Sequence, residues 1–207
     1  MSEEIGDLLP PKKHIYYTNG LTLVIGALIV LTSWNISDRT WISLGWKWPD
    51  INIFVIVSIT AVMIFYLGDV LYGMISKNKI QQIEAMSFVV PLNKNDYKHY
   101  IFLAFAAGIC EEIVFRGFLV NYLFQLENYI YYAQYIAITI PAVVFAVSHL
   151  YQGLWAVFKI FIVALLFGVI FWYSKSLLIV VILHVMVDLI SGLVAWLSYQ
   201  KESENNS

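Results

Sequence analysis

Six apolar runs, each near the length that crosses a bilayer as a helix, constrain this chain more than any other feature. They read as 15–35, 51–75, 100–124, 129–150, 154–173 and 177–197. About 20 apolar residues span the hydrocarbon core, and there a single run can satisfy its own backbone only as a helix. The chain is 60% hydrophobic and 13% charged, where soluble domains carry about 25% charged residues. The expected fold class is therefore all-α: a polytopic integral membrane protein with about six transmembrane helices.

Around that core, residues 1–14 read as a polar leader, 15–197 as one membrane domain and 198–207 as a polar tail, with no internal repeat. Lys12 and Lys13 precede the first run, but no small-residue cleavage pattern follows it, so it reads as a span and not a signal peptide. Trp34, Trp41, Trp46 and Trp48 cluster about the loop at 35–50, where an interfacial aromatic belt would sit. The longest polar connection, 77–98, is interrupted by a short apolar piece at 86–92, too short to cross and expected to lie on the surface. Six spans put both termini on one side. That side then holds Lys12, Lys13, Lys77, Lys79, Lys94, Lys98 and Lys201, against Arg39, Lys47 and Lys175 on the other, which favours cytoplasmic termini. A single cysteine, Cys110, rules out an internal disulfide framework and a multi-cysteine metal site. The Lys and Arg residues are spread along the chain, so no nucleic-acid patch is visible.

Against this background the third run is anomalous. Cys110-Glu111-Glu112-Ile113-Val114-Phe115-Arg116-Gly117 places three charged groups within two helical turns. A charge at bilayer depth costs from about 2.5 kcal/mol upward. Glu112 and Arg116 are four apart and can pair on one face. Glu111 is turned about 140° from Arg116, so one guanidinium cannot readily serve both carboxylates. An acid left over beside a neutralised pair is what a general base requires. The plain alternative is that all three charges pair internally and do nothing else.

The other spans carry further ionisable groups. His149 ends the fourth run, four residues after Phe145; alone it would more often be a capping histidine than a catalytic one. His184 and Asp188 lie one turn apart, deep in the sixth run, where a hydrogen bond locking two helices is an equal reading. Lys159 is near the start of the fifth run and is expected to snorkel. Asp69 and Asp188 are the one intramembrane aspartate pair, but Tyr66 stands two before Gly68 and Val187 before Asp188. Both contexts fail the intramembrane aspartyl protease pattern. The metalloprotease pattern His-Glu-x-x-His and the serine context Gly-x-Ser-x-Gly are also absent. Cys110 is turned about 100° from Glu111 and reads as packing.

Together, Glu111-Glu112-x-x-x-Arg116, Phe145-x-x-x-His149 and His184-x-x-x-Asp188 resemble the motifs of the CPBP family, the CAAX proteases and bacteriocin-processing enzymes also called Abi. Order and internal spacing both agree, and Gly117 and Ser148 fit the same pattern. The resemblance covers about 100–197, and the first two spans agree only in hydropathy. It implies an intramembrane endopeptidase of the compact bacterial type, in a bacterial plasma membrane, cleaving a membrane-associated or lipidated peptide near the cytoplasmic face. By position, Glu111 would activate water with His149 assisting, His184 and Asp188 would stabilise the oxyanion, and Glu112 with Arg116 would hold the third helix in register. An aspartate can donate to an oxyanion only when protonated, so Asp188 could instead orient His184 or ligate a metal.

Two mechanisms fit. In one, no metal takes part. In the other, His149, His184 and a carboxylate such as Glu111 hold a divalent ion such as zinc with one open position. The metal-free version is preferred. The expected partners are a peptide or lipidated protein substrate and the lipid bilayer. Two functions from other classes remain: a bacteriocin-immunity or regulatory protein binding a peptide in the polar cavity the helices would enclose, and a small proton-coupled transporter. The second finds no broken-helix pair or inverted repeat to support it.

Overall fold

A computed structural model describes residues 10–75, 83, 86–125 and 132–205. Among these, six long helices and short helical turns account for the regular structure, with no strand. The long helices are α1 (Lys12–Ile36), α2 (Ile53–Ile75), α3 (Lys94–Glu112), α4 (Ala133–Val147), α5 (Leu154–Ser174) and α6 (Leu177–Asn205). The chain is an all-α polytopic membrane protein. Four helices, Lys12–Ile36, Ile53–Gly73, Leu154–Ser174 and Leu177–Glu204, are long and apolar enough to cross a membrane. The other two depart from that pattern for different reasons. α3 carries Lys94, Asp96, Lys98, Glu111 and Glu112, and α4 has only 15 residues.

Local chemistry sets several boundaries. The Asn93 side chain accepts from the Asp96 amide at 2.9 Å and starts α3, and Asn52 accepts from the amides of Phe54 and Val55 at the head of α2. Both satisfy donors that a helix start leaves open. α4 stops at Val147, and a 3₁₀ turn over Leu150–Gln152 leads to Gly153, whose φ of 92° reverses the chain into α5. At the C-terminus, polar residues expected as a tail continue α6 to Asn205.

The helices pair as α1 with α3, α3 with α6, α4 with α5 and α2 with α5. The main core joins Trp34, Leu44, Phe167, Phe171, Leu177 and Val180. Trp34 therefore leaves the expected interfacial belt: it is buried and donates from Nε1 to the Thr40 carbonyl, whereas Trp41, Trp46 and Trp48 are exposed. Side chains such as Leu21, Ile25 and Leu28 on α1 and Ile56, Ile64 and Leu71 on α2 are exposed, as lipid-facing positions would be.

Long-range bonds define the two ends of the bundle. At one end Lys12 reaches Asp96 and the Val90 carbonyl, both at 3.1 Å. At the other, Ser176 donates to the Lys47 carbonyl and the Leu177 amide to that of Gly45. Lys12 and Lys94 thus lie opposite Lys47 and Lys175. Lys77 and Lys79 lie outside the described residues. α3 and α6 approach closely at Gly108, where an added Cβ would stand 2.5 Å from Val185 Cγ2 and 2.9 Å from the Val185 amide nitrogen. That contact brings α3 against α6 next to His184.

Candidate active site

The third span changes its winding at the anomalous charges. After Glu112 the helix continues as a π-helix over Ile113–Val120 and regains α geometry at Asn121–Phe124. Such wide turns occur frequently at functional sites. Here the segment carries Arg116 and Gly117 on its buried side together with Ile113 and Val120.

Glu112 is wholly buried and Arg116 is 2% exposed. Arg116 Nη1 donates to Glu112 Oε1 at 2.8 Å, and Nη2 to the Ala164 carbonyl of α5 at 3.1 Å. The guanidinium also lies over the rings of Phe145 and Phe167, at 5.1 and 5.6 Å. The Glu112–Arg116 pairing expected from spacing is present. It does more than hold one helix, because it ties α3 to α5.

Glu112 Oε1 has a second partner. His184 Nδ1 lies 2.7 Å from it, and since a carboxylate oxygen only accepts, Nδ1 carries the proton. His184 Nε2 is thereby turned toward two other carboxylates, Glu111 Oε2 and Asp188 Oδ2, each at 3.7 Å. Both distances exceed a direct hydrogen bond but lie within ion-pair range. Three carboxylates thus surround one imidazole, and one of the three, Glu112, is shared with the Arg116 guanidinium.

His149 is fixed from the other side. Its Nδ1 is 2.8 Å from the Phe145 carbonyl and 3.1 Å from Ser148 Oγ. A carbonyl can only accept, so Nδ1 is again the protonated nitrogen and Nε2 is left as an acceptor. Glu111, His149, His184 and Asp188 line one cavity of about 680 Å³. Among the described residues no hydrogen bond or ion pair joins His149 to Glu111. They share the cavity rather than a contact.

A second cavity of about 320 Å³ lies on the far side of the same wall. His149, His184, Asp188 and Tyr100 line both, while Glu111 faces only the larger one and Arg116 only the smaller. The apolar piece at 86–92 is not merely laid on a surface: Phe88 and Val89 line the larger cavity, and Met86, Val89 and Val90 the smaller.

Two features escaped the sequence. Lys159 does not simply snorkel. Its Nζ is 2.9 and 3.0 Å from the two oxygens of Asp69, joining α5 to α2 at the rim of the smaller cavity. Opposite charges in two apolar runs were a usable signal for that pair. Asn19 and Thr22 of α1 line the larger cavity with Glu111, although the first span shows no motif.

Among the described residues no three His, Cys, Asp or Glu side chains come together as a ligand group. Glu112 Oε1 is taken by Arg116 and His184, and His149 Nδ1 by Phe145. As placed, the residues do not fit the three-ligand zinc site.

The model of the type II CAAX prenyl endopeptidase Rce1-like family matches residues 94–190. Residues 94–190, just under half of the chain, are thus similar to the type II CAAX prenyl endopeptidases. The Rce1-like segment begins at the head of α3 and ends two residues past Asp188, so it holds all three motif helices and leaves out α1 and α2. No curated protein and no solved structure matches the chain.

Proposed function

We propose that the chain is an intramembrane endopeptidase that cleaves a membrane-associated or lipidated peptide, with Glu111 as the base that activates water. The observation that carries this reading is the division of the two adjacent acids. Glu112 is consumed by Arg116 and by His184 Nδ1. Glu111 has neither contact and faces the cavity beside His184 Nε2.

The chemistry follows from those positions. A water held between Glu111 and His149 Nε2 gives a proton to the Glu111 carboxylate as its oxygen attacks the peptide carbonyl carbon. The carbonyl π bond breaks and leaves an oxyanion, to which doubly protonated His184 donates from Nε2. The proton on Glu111 passes to the leaving nitrogen, the C–N bond breaks, and a carboxylate and an amine are released. Asp188 stands beside His184 Nε2 as a counter-charge that holds the ring in orientation. Glu112, through Nδ1, fixes the same ring from behind.

Charge placement supports termini on the cytoplasmic side, since Lys12 and Lys94 share the end at which α6 finishes. The smaller cavity, rimmed by Asp69 and Lys159 near that end, gives the site an approach from the cytoplasmic face.

Purified protein in detergent, presented with a quenched peptide library, should release fragments with new carboxyl termini that mass spectrometry can read. His149→Ala should slow that release. Cleavage by His149→Ala at the parent rate would remove His149 from the reaction, and no cleavage by the parent on any peptide would overturn the endopeptidase reading.

A further inference from the structure

We propose that Asn19, on the first membrane helix and outside the family-matched segment, is a substrate-positioning residue whose side-chain amide pairs with a backbone peptide group of the substrate. The proposal rests on the endopeptidase reading and adds to it a residue that no motif marks.

An extended peptide entering a membrane cavity gives up the water on its N–H and C=O groups, which is costly unless the cavity returns partners. A primary amide suits that task because it carries both donors and an acceptor. Outside the reactive cluster, the other oxygen- and nitrogen-bearing side chains lining the Glu111 cavity each make at least one hydrogen bond within the chain. Thr22 donates to the Thr18 carbonyl, Ser148 to that of Phe145, and Gln152 to the Tyr151 hydroxyl. Tyr100 donates to the Asp188 carbonyl. Asn19 has no hydrogen-bond partner among the described residues, and it is exposed on the wall of that cavity.

Its placement is rigid. Tyr16, Gly20, Ala27 and Trp34 form the buried side of α1, and α1 packs chiefly on α3, the helix that carries Glu111. A Cβ at Gly20 would stand 2.5 Å from the Phe102 ring, so α1 and α3 are in close contact there. Asn19, Thr22 and Gly26 follow at helical spacing along the adjoining side. Nothing lies within 4 Å of the position a Gly26 Cβ would take. Beyond Asn19 the groove is open.

The test uses the full chain, purified in detergent, and the library peptide that the parent cleaves fastest. Copies of that peptide are made with one backbone amide at a time N-methylated or replaced by an ester. For Asn19→Ala we expect KM to rise about tenfold, the effect of one lost hydrogen bond, with kcat near the parent's. At one peptide position the backbone change should cost the parent about tenfold and cost Asn19→Ala nothing further. Asn19→Gln should recover part of the loss. Asn19→Ala with parental KM would overturn the proposal, as would losses that add at every modified position; either result would leave Asn19 as a residue facing lipid headgroups. A parent that cleaves no peptide fails the endopeptidase reading, and this proposal falls with it.

Discussion

Glu112 Oε1 receives both Arg116 Nη1, at 2.8 Å, and His184 Nδ1, at 2.7 Å, so one carboxylate oxygen ties the third span to α6. Arg116 continues the link to α5 through the Ala164 carbonyl. The chain thus spends one of its two adjacent acids on architecture, and that expense leaves the other free. Buried ion pairs contribute little net stability, but removing one partner is severe because the remaining charge is stranded.

Glu112→Ala is expected to lower stability by about 3–5 kcal/mol, since it strands Arg116, which is 2% exposed. Thermal unfolding in detergent measures this. An unfolding midpoint equal to the parent's would mean that Arg116 finds its partner elsewhere.

Gly108 sets the distance between the acid on α3 and the imidazole on α6. Gly108→Ala would place a methyl 2.9 Å from a backbone nitrogen of Val185, which cannot swing aside as a side chain can. Overpacking of that kind costs about 1–3 kcal/mol, and here it also moves His184 away from Glu111. Both stability and cleavage should fall. Gly68→Ala is the control, because nothing lies within 4 Å of its added Cβ, and it should be neutral or slightly stabilising. Equal behaviour of the two variants would contradict the packing argument.

The Asp69–Lys159 pair joins α2 to α5 at 2.9 Å. A double-mutant cycle with Asp69→Asn and Lys159→Met should give a coupling of about 1 kcal/mol in unfolding free energy. Strict additivity would show that the two charges face each other without interacting.

Much of this arrangement was legible in the sequence, and the long-range pairings were hidden for one physical reason. Apolar run length located the long helices, and the four-residue spacings of Glu112 with Arg116 and of Phe145 with His149 correspond to contacts within one helix. The bond from His184 to Glu112 spans 72 positions, and that from Lys159 to Asp69 spans 90. Periodicity reports which residues share a face, not which faces meet, so neither pairing could be read from spacing. Asn19 was hidden differently. A lone amide in an apolar run looks only like a cost until the cavity beside it is seen. Trp34 was misplaced because a tryptophan at a span end suits both an aromatic belt and a buried corner.

Metal removal separates the two mechanisms. Protein dialysed against a chelator, with metal content checked by elemental analysis, should retain full cleavage if Glu111 alone activates water. Loss of cleavage that zinc restores would require a ligand set reorganised from the one described.

The most direct measurement compares Glu111→Gln with the parent under single-turnover conditions on the same peptide, with the unfolding midpoint recorded for each. The expected result is cleavage slowed by about 10²–10⁴-fold, the range for loss of a general base, with a midpoint close to the parent's. Glu111→Gln cleaving at the parent rate would contradict the assignment of Glu111 as the reactive acid.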